Sequence, residues 1–104
     1  MITKPGVVAL TGATGFVGTA TLDRLLEAGW TVRALTRSDQ AKRAGVTWVK
    51  GALGSIDHLI KLCDGADAIL HIAGAVNASD AAGFEAGNVT GTANVLTAAK
   101  TAGI

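Results

Sequence analysis

The stretch Thr11-Gly12-Ala13-Thr14-Gly15-Phe16-Val17-Gly18 sets three glycines at intervals of three. The apolar run Val7-Val8-Ala9-Leu10 precedes it, and a helical pattern follows. A strand, a glycine turn and a helix in that order make a seat for a pyrophosphate. Gly12 permits the tight turn, Gly15 lets phosphates approach bare backbone, and Gly18 lets the helix pack closely on the strand. The helix then offers unpaired N–H groups and a partial positive charge to the anion.

A second candidate for charge chemistry is Arg37. It follows Thr36 at the expected end of the second strand, where an acidic residue would hydrogen-bond a ribose 2′-hydroxyl. A carboxylate repels a 2′-phosphate, whereas a guanidinium pairs with it through a charge-assisted fork. The plainer reading is a solvated arginine. His58, Cys63 and His71 lack the spacing of metal ligands, so no metal is expected. Cys63 reads as a small core hydrophobe and His71 as a packed strand residue. Trp30 and Trp48 are expected to pack at strand beginnings, and neither supports a platform for nucleic-acid bases.

These residues must be positioned by alternating elements. Residues 7–12 read as a first strand, apolar enough to be buried on both faces. A helix is expected from Phe16 to Ala28, with Val17, Thr21, Leu22, Leu25 and Leu26 facing inward and Gly29 as its cap. Thr31 to Thr36 reads as a second strand. Ser38 is placed to cap a short helix within the polar stretch that follows. Val46 to Val49 reads as a third strand. Ser55 caps a helix from Ile56 to Cys63, with Ile56, Leu59, Ile60 and Cys63 on its inner face. Residues 68–73 read as a fourth strand, and a last helix runs from Ala81 to Ala102. This alternation predicts an α/β fold: a Rossmann-type, doubly wound parallel sheet of four strands in the order 3-2-1-4, incomplete as it stands. The chain reads as the N-terminal part of a larger domain. Its fourth strand then lies at an open edge through which copies could associate.

Composition narrows the class. The chain has 104 residues, 14 glycines, one cysteine, no tyrosine and a net charge of +1. That charge implies no general attraction to nucleic acid or to a membrane surface. No apolar run nears the roughly 20 residues needed to span a bilayer. A lone cysteine excludes an internal disulfide and fits a reducing compartment, so a cytoplasmic location is expected.

Three segments, in order, resemble the extended and atypical short-chain dehydrogenase/reductases, the NAD(P)-dependent epimerase/dehydratase family. Thr11 to Gly18 is similar to that family's nucleotide turn. Asp67-Ala68-Ile69-Leu70-His71-Ile72-Ala73-Gly74 is similar to its fourth strand. Asn88-Val89-Thr90-Gly91-Thr92-Ala93-Asn94-Val95-Leu96 is similar to its following helix. The resemblance implies hydride transfer to or from a nicotinamide ring in the full-length protein. It also implies a Tyr-x-x-x-Lys pair as the acid/base machinery. With no tyrosine, the chain leaves that role empty, so no catalytic residue is assigned and no turnover is expected from it alone.

The expected dinucleotide contacts are Gly12, Thr14, Gly15, Phe16, Val17 and Gly18 at the turn, with Arg37 favouring NADP over NAD. The family carries an aspartate on the adenine amino group where this chain has Ala52; Leu53 beside it could still pack on the base, or be an ordinary loop residue. Ala73, Gly74 and Ala75 end the fourth strand near the strand-order switch, small enough for a ribose and nicotinamide to lie against backbone. Asn88 by resemblance lies near the missing Tyr–Lys pair, though a structural side-chain-to-backbone bond explains it equally. Gly87 and Gly91 share a helical face and imply close approach to the sheet or cofactor. A small-molecule substrate is expected for the full-length protein. The alternative function is a non-catalytic dinucleotide sensor or accessory subunit of the same fold.

Overall fold

The computed structural model describes residues 5–72 and 91–104. Strands β1 (Val7–Thr11), β2 (Thr31–Thr36), β3 (Val46–Lys50) and β4 (Ala68–His71) form one sheet in the order β3-β2-β1-β4. Every pairing is parallel. Helices α1 (Phe16–Glu27), α2 (Ile56–Cys63) and α3 (Gly91–Ala102) cover the two faces.

Strand alternation explains how one sheet serves two cores. Val8 and Leu10 of β1 join Val32 and Ala34 of β2 against Leu22 of α1. Ala9, Leu35 and Val49 point the other way and meet Leu59, Leu62 and Cys63 of α2 and Val95 and Ala98 of α3. Both faces are therefore dry, which is why β1 reads as continuously apolar. Burial pushes the Cys63 thiol pKa up, an effect partly offset by the Arg33 guanidinium.

Helix ends follow local chemistry. At the C-terminus of α1, Gly29 N–H donates to Leu26 O and Trp30 N–H to Leu25 O, which satisfies carbonyls the helix cannot reach itself. Ser55 caps α2 by accepting from His58 N–H at 3.3 Å. Arg33 reaches across from β2 to the other end of α2. Its Nε donates to Leu62 O at 2.9 Å and its Nη2 to Lys61 O at 2.7 Å. A cation thereby sits where the helix dipole is negative.

Several expectations need correction. The helix capped by Ser38 does not form: residues 37–45 connect β2 to β3 without helix. The segment is short and lacks an apolar stripe, and the Thr36 hydroxyl organises it as a turn, donating to Ser38 O at 2.8 Å. Val17 is 60% exposed and so leaves the inward stripe of α1; like Phe16 beside it, it is left uncovered, while Gly18 makes the contact of this turn with the tip of β1. In α2, Ile56 is 40% exposed and Leu62 is buried in its place. The helix turns Leu59, Leu62 and Cys63 inward, at i, i+3 and i+4, because it packs against α3 as well as the sheet. Trp48 lies in the middle of β3, half-buried, with its indole N–H donating to Ala41 O at 3.2 Å. Strand and helix ends differ from the expected ones by a residue at β1, α1 and β3. The fourth strand ends at His71, with Ile72 outside it. Of the predicted last helix, 91–102 is observed as α3, and 81–90 lies outside the described residues.

Candidate functional site

The four parallel strands deliver Thr11, Thr36, Lys50 and His71 to the same edge of the sheet. In open α/β sheets ligands bind outside this carboxyl edge, where the strand order reverses. That reversal here falls between β1 and β4, on either side of which the crossovers run to opposite faces.

The glycine turn closes the end of β1. Gly12 has φ +78°, the left-handed region that favours glycine, and its carbonyl accepts from Gly15 N–H at 3.2 Å. A Cβ on Gly18 would overlap Gly12 O, so only glycine lets α1 press onto this turn. The close approach is to Gly12 and Ala13 at the tip of β1 rather than along the strand itself. Gly15 is the N-cap of α1, with no side-chain cap and no acidic residue in the first turn. A Cβ on Gly15 would meet only Gly12 O, at an ordinary 3.6 Å, so the space beside it is open. Thr14, Gly15, Phe16 and Val17 are exposed around that opening, Phe16 at 96%. An uncapped helix mouth with bare backbone and no competing carboxylate fits a phosphate-bearing ligand.

Thr19 is a site residue that sequence reasoning missed. Its hydroxyl reaches Gly15 O at 2.7 Å and Ala13 O at 3.3 Å, tying the turn to the helix. No motif marks it; only the packed geometry reveals it.

Arg37 is exposed immediately after β2. Among the described residues the ion pairs are Arg43–Asp23 and Lys50–Asp39, and Arg37 belongs to neither. Thr36 is buried beside it, and its hydroxyl accepts from Ser38 N–H and Gln40 Nε2, both at 3.3 Å.

Ala52 and Leu53 follow β3, both half-buried. Ala52 N–H donates to His58 Nδ1 at 3.1 Å, and Asn94 Nδ2 donates to Leu53 O at 2.8 Å. His58 and Asn94 thus hold this loop from α2 and α3, a role the linear pattern did not indicate.

His71 does more than pack. Its Nδ1 shares a 2.6 Å hydrogen bond with Thr11 Oγ1, and its Nε2 shares one of 3.1 Å with Thr92 Oγ1 of α3. Ile72 N–H donates to Thr11 Oγ1 at 3.1 Å. Burial lowers the His71 pKa below its usual 6.5, favouring the neutral ring. Gly91 is buried at the start of α3. The expected contacts Ala73, Gly74, Ala75 and Asn88, together with Gly87, lie outside the described residues.

Among the described residues, no group of three or more His, Cys, Asp or Glu comes together to hold a metal ion. Nor is any described helix long and apolar enough to cross a membrane.

The family model for the NAD dependent epimerase/dehydratase family matches residues 8–104. Ceramide reductase of Caulobacter vibrioides is 38% identical over 102 residues, which is 94% of this chain and 32% of that protein. A 2-alkyl-3-oxoalkanoate reductase of Shewanella oneidensis is 34% identical over 94 residues, 88% of this chain and 24% of that one. The chain therefore spans about a third or less of the length of these curated relatives. Among solved structures, a mutant uronate dehydrogenase from Agrobacterium tumefaciens complexed with NAD superposes with a TM-score of 0.81 at 23% identity. That match covers 96% of this chain and 38% of the dehydrogenase, and it speaks to the fold.

Proposed function

The chain belongs to the NAD dependent epimerase/dehydratase family, and we propose that it is the dinucleotide-binding front of an NADP-preferring reductase. The observation that carries this reading is the open mouth of α1: an uncapped N-terminus, no acid in the first turn, and free space at Gly15. The pyrophosphate would lie there, held by backbone N–H groups of the turn and the first helical residues. Arg37 supports the choice of NADP. It is exposed at the end of β2 and outside both ion pairs of the described residues. A 2′-phosphate there would meet a guanidinium rather than a carboxylate.

When bound, the nicotinamide supplies a hydride; this chain's residues bind and orient. Thr19 holds the turn, Thr36 shapes the start of the next loop, and the His71 bridge fixes α3 to the strand ends. The reductase names of the relatives make a carbonyl the proposed substrate class for the whole protein. The same reading takes Ala73, Gly74, Ala75 and Asn88 as the nicotinamide-side contacts and the cytoplasm as the compartment, where a buried free thiol such as Cys63 stays reduced.

Fluorescence titration of the 104-residue chain with NADPH and NADH tests the reading. NADPH is expected to bind roughly tenfold or more tightly, the scale of one charge-assisted pair. Arg37→Ala should narrow the gap by weakening NADPH alone. Equal affinities in the unmutated chain would refute the preference, and absence of binding to either would refute the site.

A further inference from the structure

The crossover from β2 to β3 runs as a loop, residues 37–45, where parallel strands are usually joined by a helix. Val46 and Trp48, which pack half-buried against the α1 core, therefore meet a loop on their outer side. Between them and the loop lies an open cleft of about 620 Å³, within the size range of small-molecule sites.

The loop is fastened along its length. At its start Gln40 Nε2 donates to Thr36 Oγ1 at 3.3 Å and to Ser38 Oγ at 3.2 Å. In the middle Ala41 O accepts from the Trp48 indole N–H at 3.2 Å. Near its end Arg43 pairs with Asp23 of α1 at 2.6 Å. Gly45, at φ +81°, sits so close to α1 that a Cβ would come within 2.9 Å of Leu26 Cδ2. The cleft is thus shaped by the fold and not by a ligand.

What the fastening leaves over defines the ligand. Trp48 has spent its N–H, so its indole contributes apolar surface, with Val46 and Ala44 beside it. Arg43 is matched by Asp23. Lys42 is exposed and enters no ion pair or side-chain hydrogen bond among the described residues. None of the described residues lining the cleft is acidic. An apolar floor beside one unmatched ammonium complements a monoanion with a planar apolar body.

We propose that this cleft binds a small aromatic carboxylate, with its ring on Trp48 and Val46 and its carboxylate on Lys42 Nζ. The site is separate from the carboxyl edge of the sheet. Val46, Thr47 and Trp48 begin β3, and the strand reaches that edge at Lys50. The proposal therefore does not depend on the dinucleotide reading.

Proton–nitrogen correlation NMR of the 104-residue chain tests it, with phenylpropionate and its neutral amide, phenylpropanamide, as probes. Trp30→Phe identifies which of the two indole N–H signals belongs to Trp48. Phenylpropionate should shift the Trp48 indole signal and the backbone signals of residues 40–48 along one saturable curve. The amide should bind roughly threefold or more weakly, the scale of one partly exposed ion pair. Lys42→Met, which keeps an apolar stem, should bring the two probes to equal affinity. Added NADPH should leave the curve in place. Shifts that never saturate, or saturable shifts centred outside residues 40–48, overturn the proposal. So does a preference for the carboxylate that survives Lys42→Met. Displacement of phenylpropionate by NADPH also overturns it, by putting the anion in the dinucleotide seat.

Discussion

Two glycines three residues apart serve different masters. A methyl group on Gly18 would collide with the carbonyl of Gly12, a backbone atom that cannot step aside without moving the turn. At Gly15 a methyl would project into open space at the mouth of α1, with Gly12 O at 3.6 Å as its near neighbour. The first glycine of the pair therefore leaves open space at the helix mouth, and the second is a packing requirement. Gly18→Ala should lower the unfolding free energy by about 1–3 kcal/mol, the usual range for overpacking, and weaken NADPH binding along with it. Gly15→Ala should cost less than about 1 kcal/mol, as expected for an N-cap change, yet weaken NADPH roughly tenfold or more by blocking the phosphates. Chemical denaturation and fluorescence titration of the two variants separate the effects. Unimpaired NADPH binding by Gly15→Ala would mean the phosphates do not use this mouth.

Elements are joined at the site by long-range polar bonds, and the His71 bridge is the clearest of them. It links β1 through Thr11, β4 through His71 and α3 through Thr92. Neutral imidazole has one N–H, so one threonine hydroxyl donates to the ring and the other accepts from it. Protonation makes both ring nitrogens donors and disturbs that arrangement. The folded pKa is depressed by burial, so between pH 6.5 and that lower value the unfolded chain binds more protons than the folded one. Stability is full above about pH 6.5 and falls as the pH drops toward the folded pKa. Thermal unfolding from pH 7.5 down to 5 should show this slope, and His71→Gln should flatten it. An equal slope in the variant would assign the acid sensitivity to other groups. None of this bridge was legible in the linear pattern, because its partners lie 60 and 21 residues apart. The Asn94 bond to Leu53, 41 residues away, escaped notice for the same reason. The bonds of Thr19, Thr36 and His58 are local, yet no period or spacing announces them. What could be read was local. The glycine turn, the Ser55 cap and the Gly29 stop are contained in a few consecutive residues, and the alternation of apolar strands with amphipathic helices sets the strand order. The misread stripes at Val17 and Ile56 lie in the first turns of their helices, where periodicity continues but the sheet or neighbouring helix no longer covers it.

At the scale of the molecule, the fold gathers a candidate seat for a dinucleotide at the strand ends, and among the described residues neither histidine is free to serve there as a proton donor. Both sheet faces are used for cores, which leaves the carboxyl ends of the strands as the candidate ligand edge. Carbonyl reduction needs a group within hydrogen-bond reach of the substrate oxygen that can give up a proton near neutral pH. The chain contains no tyrosine. Of its two histidines, His71 has both ring nitrogens bonded to threonines, and burial favours its neutral form. His58 Nδ1 accepts from Ala52 N–H just after the end of β3, beyond β2 from the strand-order switch. Binding and turnover should therefore come apart. The 104-residue chain is expected to bind NADPH yet show no oxidation of it above the buffer rate with ketone or aldehyde substrates. Absorbance at the reduced-nicotinamide band reads the rate, and the same preparation serves for the binding titration. Turnover that survives repurification and vanishes in Gly15→Ala would overturn that expectation, because the proton would then have to come from a group other than a tyrosine or either histidine.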